Sequence, residues 1–259
     1  MSDGADRPLE GTRPDSPLPP PDPAELPMGE ALPAELARLE ARIATCCRCP
    51  RLVEWRETKA AEKRRAFAEE EYWGRPVPGW GDPGAGLLVV GLAPAAHGAN
   101  RTGRIFTGDE SGRWLHRALH RFGFANRPES VRKGDGLELD DCFVTAAVRC
   151  APPDNRPLPE ERRSCRPYLE AEIDLLAEVR VIVPLGGYAY DHVLRIFRDR
   201  GHPVPSPKPK FSHGLELELG PDAPRLVASY HPSQQNTFTG VLTEPMFDEV
   251  FRRARSLLG

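Results

Sequence analysis

Leu87-Leu88-Val89-Val90-Gly91-Leu92 is a continuous apolar run of strand length, set off by glycines. A strand wetted on one side alternates apolar and polar residues; one covered on both faces does not, so this run reads as a fully buried strand. Similar runs recur at Cys142-Phe143-Val144-Thr145-Ala146-Ala147-Val148, at Val179-Arg180-Val181-Ile182-Val183-Pro184-Leu185 and at Arg225-Leu226-Val227-Ala228-Ser229. Helical patterns lie between them at 111–123, 159–178 and 187–200, and a last helix near 244–257 is started by Thr243 and Pro245. Strands alternating with helices predict an α/β fold, a three-layer α/β/α sandwich around a mostly parallel, four-stranded central sheet. Ligands of such sheets sit beyond the carboxyl ends of the strands, which directs attention to the loops after Leu92, Val148, Leu185 and Ser229.

Upstream of this unit, Leu36, Leu39 and Ile43 recur at helical spacing behind Pro33, and the charged stretch from about Leu52 to Tyr72 reads as a second helix with a solvated face. Residues 1–32 read differently. The first 33 residues hold nine of the 29 prolines and seven acids against two arginines, a net charge of -5. Such a segment buries too little apolar surface to offset its ordering entropy, so 1–32 is expected to be a disordered, acidic, Pro-rich tail and 33–259 one catalytic domain. The whole-chain charge of -3 then leaves +2 on residues 34–259, which admits a nucleic-acid partner. No apolar run approaches the ~20 residues that span a bilayer, and the start lacks the pattern of a signal peptide. The expectation is a cytoplasmic, nucleoid-associated monomer with no membrane partner.

The six cysteines fall into a pattern. Cys46 and Cys49 are spaced C-x2-C, and Cys150 and Cys165 join a strand exit to a helix. Cys47 is out of register, and Cys142 inside a strand reads as a small core hydrophobe. In a reducing compartment four such thiolates point to metal, and soft sulfur ligands suit either zinc or a [4Fe-4S] cluster. After the first strand comes Gly91-Leu92-Ala93-Pro94-Ala95-Ala96-His97-Gly98-Ala99-Asn100-Arg101-Thr102-Gly103-Arg104-Ile105-Phe106-Thr107-Gly108-Asp109, polar and glycine-rich in the manner of a binding loop. It carries neither the dinucleotide fingerprint nor a P-loop. Arg101 and Arg104 are expected to meet a nucleic-acid backbone, with Arg149 and Arg156 clustered beside them, and Phe106 reads equally as a core residue or as an aromatic that stacks on a flat ligand. Two more loops complete the set, Arg149-Cys150-Ala151-Pro152-Pro153-Asp154-Asn155-Arg156-Pro157 and Tyr230-His231-Pro232-Ser233. A histidine fixed beside a proline suits a hydrogen-bond donor aimed at one point.

The motifs GLAPAAHGANRTGRIFTGD, TAAVRCAPPDNRP and HPSQQNTFTG, together with the four cysteines, resemble the family 5 (type B) uracil-DNA glycosylases, from about Cys46 to the C-terminus. The resemblance implies a DNA repair enzyme that flips uracil out of DNA and hydrolyses its glycosidic bond. It implies a structural [4Fe-4S] cluster on Cys46, Cys49, Cys150 and Cys165, and catalytic roles for Asp109, Asn155 and His231. It also puts Phe106 on the extruded base and Gln234–Phe238 in the duplex. Ala93 and His97 of the first motif are expected to line the substrate pocket. The segment Ala93-Pro94-Ala95-Ala96 and Ala146 stand where other branches of the superfamily carry polar, pyrimidine-reading side chains. A pocket stripped of those groups should tolerate hypoxanthine as well as uracil. The competing class is a non-catalytic iron-sulfur module that binds DNA or senses redox state, and a nucleotide or phosphate hydrolase is a third reading of the same scaffold.

Overall fold

The structure is a computed structural model that describes residues 32–259. The tail assigned to 1–32 therefore lies outside the described residues except for Leu32, which opens the first helix. In chain order the elements are α1 (Leu32–Ala44), α2 (Pro50–Glu62), β1 (Trp80–Gly81), β2 (Leu87–Gly91), α3 (Ala99–Thr102), α4 (Glu110–Arg121), β3 (Cys142–Ala146), α5 (Pro159–Leu175), β4 (Val181–Pro184), α6 (Gly187–Asp199), β5 (Glu216–Leu217), β6 (Arg225–Val227), α7 (Gln234–Phe238) and α8 (Glu244–Leu258).

The four apolar runs are the four parallel strands, ordered β3-β2-β4-β6. The sheet has six strands rather than four, because β1 and β5 add antiparallel pairs at its two edges. Each edge strand is two residues long, too short to leave a periodic trace, and a short edge strand limits pairing with another chain. Pleating splits β2 between two cores. Leu87 and Val89 pack toward α4 and α8 with Trp114, Leu115, Phe247 and Phe251, while Leu88 and Val90 pack toward α5 and α6 with Leu169, Tyr190 and Val193. The helices on both faces complete the three layers.

Helix α2 is shorter than the sequence pattern implies. It ends at Glu62 rather than Tyr72, because Lys63 takes a left-handed backbone (φ 51°) and turns the chain away. The charged residues that follow lie in a short 3-10 turn, Arg65–Phe67, which brings Tyr72 back so that its hydroxyl accepts the Arg64 amide at 3.2 Å.

One buried ion pair joins the layers. Arg149 is 1% exposed and Glu172 is 2% exposed, and the guanidinium donates to both carboxylate oxygens at 2.8 and 2.6 Å. Glu172 of α5 also accepts from the Thr145 hydroxyl of β3 at 2.6 Å and from the Gly79 amide at 3.2 Å. Removing one member leaves the other charged and unpaired in a dry interior, which costs about 3–5 kcal/mol. We expect E172Q to lose stability of that order in denaturant unfolding and R149M/E172M to recover much of it; equal stability of E172Q and wild type would contradict this account.

Candidate active site and cysteine centre

Every loop singled out in the sequence emerges at the carboxyl ends of the parallel strands. The loop after β2 is held by its own arginines. Arg101 is 7% exposed and donates to the carbonyls of His97 at 2.9 Å and Gly108 at 3.0 Å, with its remaining nitrogen on Glu70 and its guanidinium over the Phe67 ring. Arg104, 5% exposed, forms a two-pronged pair with Asp135 at 2.9 and 2.8 Å and donates to Thr107 and Ser130. These side chains and Arg149 are therefore interior clamps, which corrects the expectation that they meet a nucleic-acid backbone. A loop of this length has many carbonyls to satisfy, and a guanidinium with five donors meets them better than water can. Arg156 alone of the expected cluster is exposed.

The clamped loop delivers Phe106 and Asp109. Phe106 adopts φ 53°, a conformation rarely taken by a bulky residue, and its ring lies on Gly91, where an added Cβ would come within 2.7 Å of it. The glycine that ends β2 thus makes room for the ring. His231, in the loop after β6, stands with its ring centroid 5.9 Å from that of Phe106, the planes inclined at 32°. Asn236 Nδ2 donates to the His231 carbonyl at 2.9 Å, and Gly186, ahead of α6, brings the backbone so close that a Cβ there would be 3.2 Å from His231 Cβ. Burial alone lowers the imidazole pKa to about 4, so the ring is neutral at physiological pH and one nitrogen carries a proton to donate.

Asp109 caps α4. One carboxylate oxygen accepts the Gly112 amide at 2.8 Å, and the other faces Gly98, where an added Cβ would lie 2.1 Å from it. Burial raises its pKa above the ordinary value, opposed by the Gly112 amide and the Arg101 charge. His97 sits beside it in the chain fold, its Nδ1 hydrogen-bonded to the Tyr72 hydroxyl at 3.0 Å, and burial followed by the nearby Arg64 and Lys59 charges lowers its pKa. Tyr72 left no motif in the sequence; its part follows from the turn at Lys63.

Two expected site residues stand apart from this group. Ala93 packs on the apolar cluster that contains Cys150 and Cys165, at the cysteine end of the loop rather than against Phe106. Asn155 is exposed in a 3-10 turn, Pro153–Asn155, where both Asp154 and Asn155 take left-handed backbone (φ 53° and 54°). Two successive residues held there present the Asn155 side chain outward from a stiff, proline-flanked loop.

The four cysteines meet at one place. Cys46, Cys49, Cys150 and Cys165 line a single cavity with about 310 Å³ of atom-free space, partly open to solvent, together with Arg48, Arg56, Arg149 and Tyr168. Among the described residues no group of three or more His, Cys, Asp or Glu side chains is set to hold a single metal ion. Donors point at the sulfurs. Arg56 Nη1 reaches Cys150 Sγ at 3.1 Å, and the Arg149 amide reaches Cys165 Sγ at 3.2 Å. Burial pushes the Cys150 thiol up to about 11, against the lowering pull of Arg56, and the Cys165 thiol up to about 12, against that of Arg149. Burial would raise Cys46 too, but hydrogen bonds from Tyr168 and Arg48 hold it below the ordinary value. Cys47 is exposed and Cys142 is wholly buried in β3, so neither joins the four.

A three-layer α/β sandwich thus gathers an aromatic, a neutral imidazole and a carboxylate at its strand ends, with four thiols converging at the far end of the same loop. The sequence profile of the Uracil DNA glycosylase superfamily matches residues 78–255. A type-5 uracil-DNA glycosylase of Mycobacterium leprae is 55% identical over 86% of this chain and 96% of its own length, and one of Thermus thermophilus is 52% identical over 83% and 95%. A type-4 uracil-DNA glycosylase of Pyrobaculum aerophilum is 30% identical over 77% and 83%. The chain belongs to the uracil-DNA glycosylase superfamily, in its type-5 branch.

The two titrating groups separate in pH. A reaction that needs ionised Asp109 loses rate on acidification through a range above ordinary carboxylate values, whereas His231 stays neutral until about pH 4 and adds no limb above that. We expect the pH–rate profile of base release to show one acid limb that is absent in D109N; a limb unchanged by D109N would assign it elsewhere.

Proposed function

We propose that this chain is a DNA N-glycosylase that excises uracil, and also hypoxanthine, from DNA. The packed rings of Phe106 and His231 carry this reading: they set a stacking surface beside a neutral hydrogen-bond donor, with the half-buried Asp109 carboxylate on the same loop as the aromatic. A base inside a duplex cannot reach these side chains, so it is extruded at a cost of a few kcal/mol, least for a mispaired or single-stranded base. Phe106 then stacks on the base, and His231 donates to a carbonyl oxygen that becomes anionic as the glycosidic bond breaks. The sugar left behind is cationic, and Asp109 offsets that charge and orients the attacking water, the division of labour of glycoside hydrolysis. Its use of one oxygen as a helix cap leaves the other for the water. Asn155, exposed on its stiff loop, contacts the DNA and supports positioning, and the α7 segment Gln234–Phe238, whose Phe238 is 75% exposed, fills the space left by the base.

The type-5 relatives are named uracil-DNA glycosylases, which supports the uracil assignment. Hypoxanthine rests on the absence of polar reading groups at Ala93 through Ala96 and at Ala146, the last 1% exposed at the end of β3. DNA is the partner, and no described helix is long and apolar enough to cross a membrane. We read the chain as an intracellular monomer.

Cys46, Cys49, Cys150 and Cys165 would hold a [4Fe-4S] cluster. The four thiols line one shared cavity, and Arg56 and the Arg149 amide supply the N–H···S bonds such ligands take. When bound, the group supplies a staple between α2 and the loop after β3, with no part in base release. Loading must displace protons from two thiols that burial keeps protonated.

The decisive measurement is abasic-site formation on single- and double-stranded oligonucleotides carrying uracil or hypoxanthine. We expect release of both bases, a loss of about 10²- to 10³-fold in H231A, the cost of one aimed donor, and about 10²- to 10⁴-fold in D109N, with DNA binding retained. Binding without release by the wild-type chain would favour a non-catalytic module, and uracil release without hypoxanthine release would remove the second substrate. Separately, anaerobically purified protein should be brown, with iron and sulfide and a broad visible absorbance lost in C165S; colourless protein with stoichiometric zinc would overturn the cluster.

A further inference from the structure

The exposed large hydrophobic side chains of the described residues are Val131, Leu158, Tyr188, Phe238 and Val241. All lie around one end of the molecule. Leu158 precedes α5 on the connection from β3, Tyr188 is in the first turn of α6 after β4, and Phe238 and Val241 follow β6. Val131 is in the segment whose Ser130 carbonyl accepts the Gly108 amide at 3.0 Å, against the loop after β2. Exposed apolar groups scattered singly need no explanation, but groups gathered around one mouth mark a contact surface.

Tyr188 is the aromatic of this set that carries a cation on its ring. It is 48% exposed and stands two residues after Gly186, the glycine that abuts His231. Arg162, in the first turn of α5, lies with its guanidinium 5.3 Å from the Tyr188 ring centroid. The pair therefore bridges the Asn155 loop and the His231 side of the mouth. Arg162 has no carboxylate partner among the described residues, and its Nε is buried without a hydrogen bond, in contrast to the clamped Arg101 and Arg104. A cation on one face of an exposed ring leaves the other face open to a flat π-system.

We propose that Tyr188, positioned by Arg162, is a DNA-contact residue that stacks on an unpaired nucleobase flanking the extruded one. The proposal rests on the glycosylase reading and adds a substrate contact to it. The site formed by Phe106 and His231 takes one base, and extruding that base bends the strand so that a neighbour loses its own stacking partner. A ring at the rim replaces that lost stacking without reading sequence, since every base has a π-face. The partner is thus a locally unstacked strand rather than an intact duplex, and the benefit is largest where the bases are already unpaired.

The test compares wild type, Y188F, Y188A and R162Q on a single-stranded oligonucleotide with one uracil, and on the same strand in a duplex. Wild-type uracil release tests the glycosylase reading first. Stacking on one base corresponds to between about 5- and 150-fold in affinity, so Y188A should raise KM for the single strand within that range while kcat changes less, and Y188F should restore wild-type KM. Quenching of 2-aminopurine placed beside the uracil should be lost in Y188A and kept in Y188F. R162Q should raise KM partway, as a positioning residue does. Unaltered KM and unaltered 2-aminopurine quenching in folded Y188A, with uracil still released by wild type, would overturn the proposal and leave the rim for a protein partner.

Discussion

The buried pair of Arg149 and Glu172 is the constraint on which the rest of the structure depends. Its carboxylate takes hydrogen bonds from β3 through Thr145 and from the segment before β1 through Gly79, and it belongs to α5. Its guanidinium belongs to the residue beside Cys150. The Arg149 backbone works as well: its amide reaches Cys165 Sγ, and its carbonyl accepts the Val77 amide at 2.7 Å. Sheet, outer helix, N-terminal strap and cysteine cavity are therefore referenced to one residue. Two charges without water are a poor source of net stability, but they tolerate few alternative arrangements. A salt bridge whose side chains take part in five hydrogen bonds in fixed directions sets geometry more than it sets free energy, and geometry is what four converging thiols and a long polar loop require.

Arg56 extends that geometry from the cysteines to the reacting end. Its guanidinium donates to Cys150 Sγ and to the Cys46 carbonyl at 3.1 Å each, and its own carbonyl accepts from Asn100 Nδ2 at 3.1 Å. Asn100, fully buried, is the second residue of α3 inside the loop that carries His97 and Asp109. A hydrogen-bonded path thus runs from the cysteine centre into the loop that carries His97 and Asp109.

How much of this was legible in the sequence divides along physical lines. Fully buried parallel strands must be apolar throughout, so the four runs at 87–92, 142–148, 179–185 and 225–229 announced β2, β3, β4 and β6 within a few residues. Edge strands two residues long carry no period, and β1 and β5 left none. The excess length read into α2 came from a charge pattern that continues past Glu62, whereas the chain turns on the backbone angle of one lysine. Spacing singled out the four cysteines that line one cavity, because thiols are rare enough for position to carry information. It failed for the arginines, since an arginine in a glycine-rich loop reads the same whether it faces a phosphate or the protein's own carbonyls. The difference lies in the partners, Asp135, Glu70 and Glu172, which are distant in sequence. Tyr72, Arg56 and Tyr188 were unread for the same reason.

The inward turn of Arg101, Arg104 and Arg149 has a consequence for how the protein meets its polymer. Each lysine or arginine that neutralises a phosphate releases condensed counterions, and each contributes roughly 0.9 on duplex or 0.7 on single strands to the slope of log affinity against log salt concentration. Three guanidiniums committed to internal carboxylates and carbonyls release none. The salt dependence of DNA binding then falls to cations that remain exposed, such as Arg156.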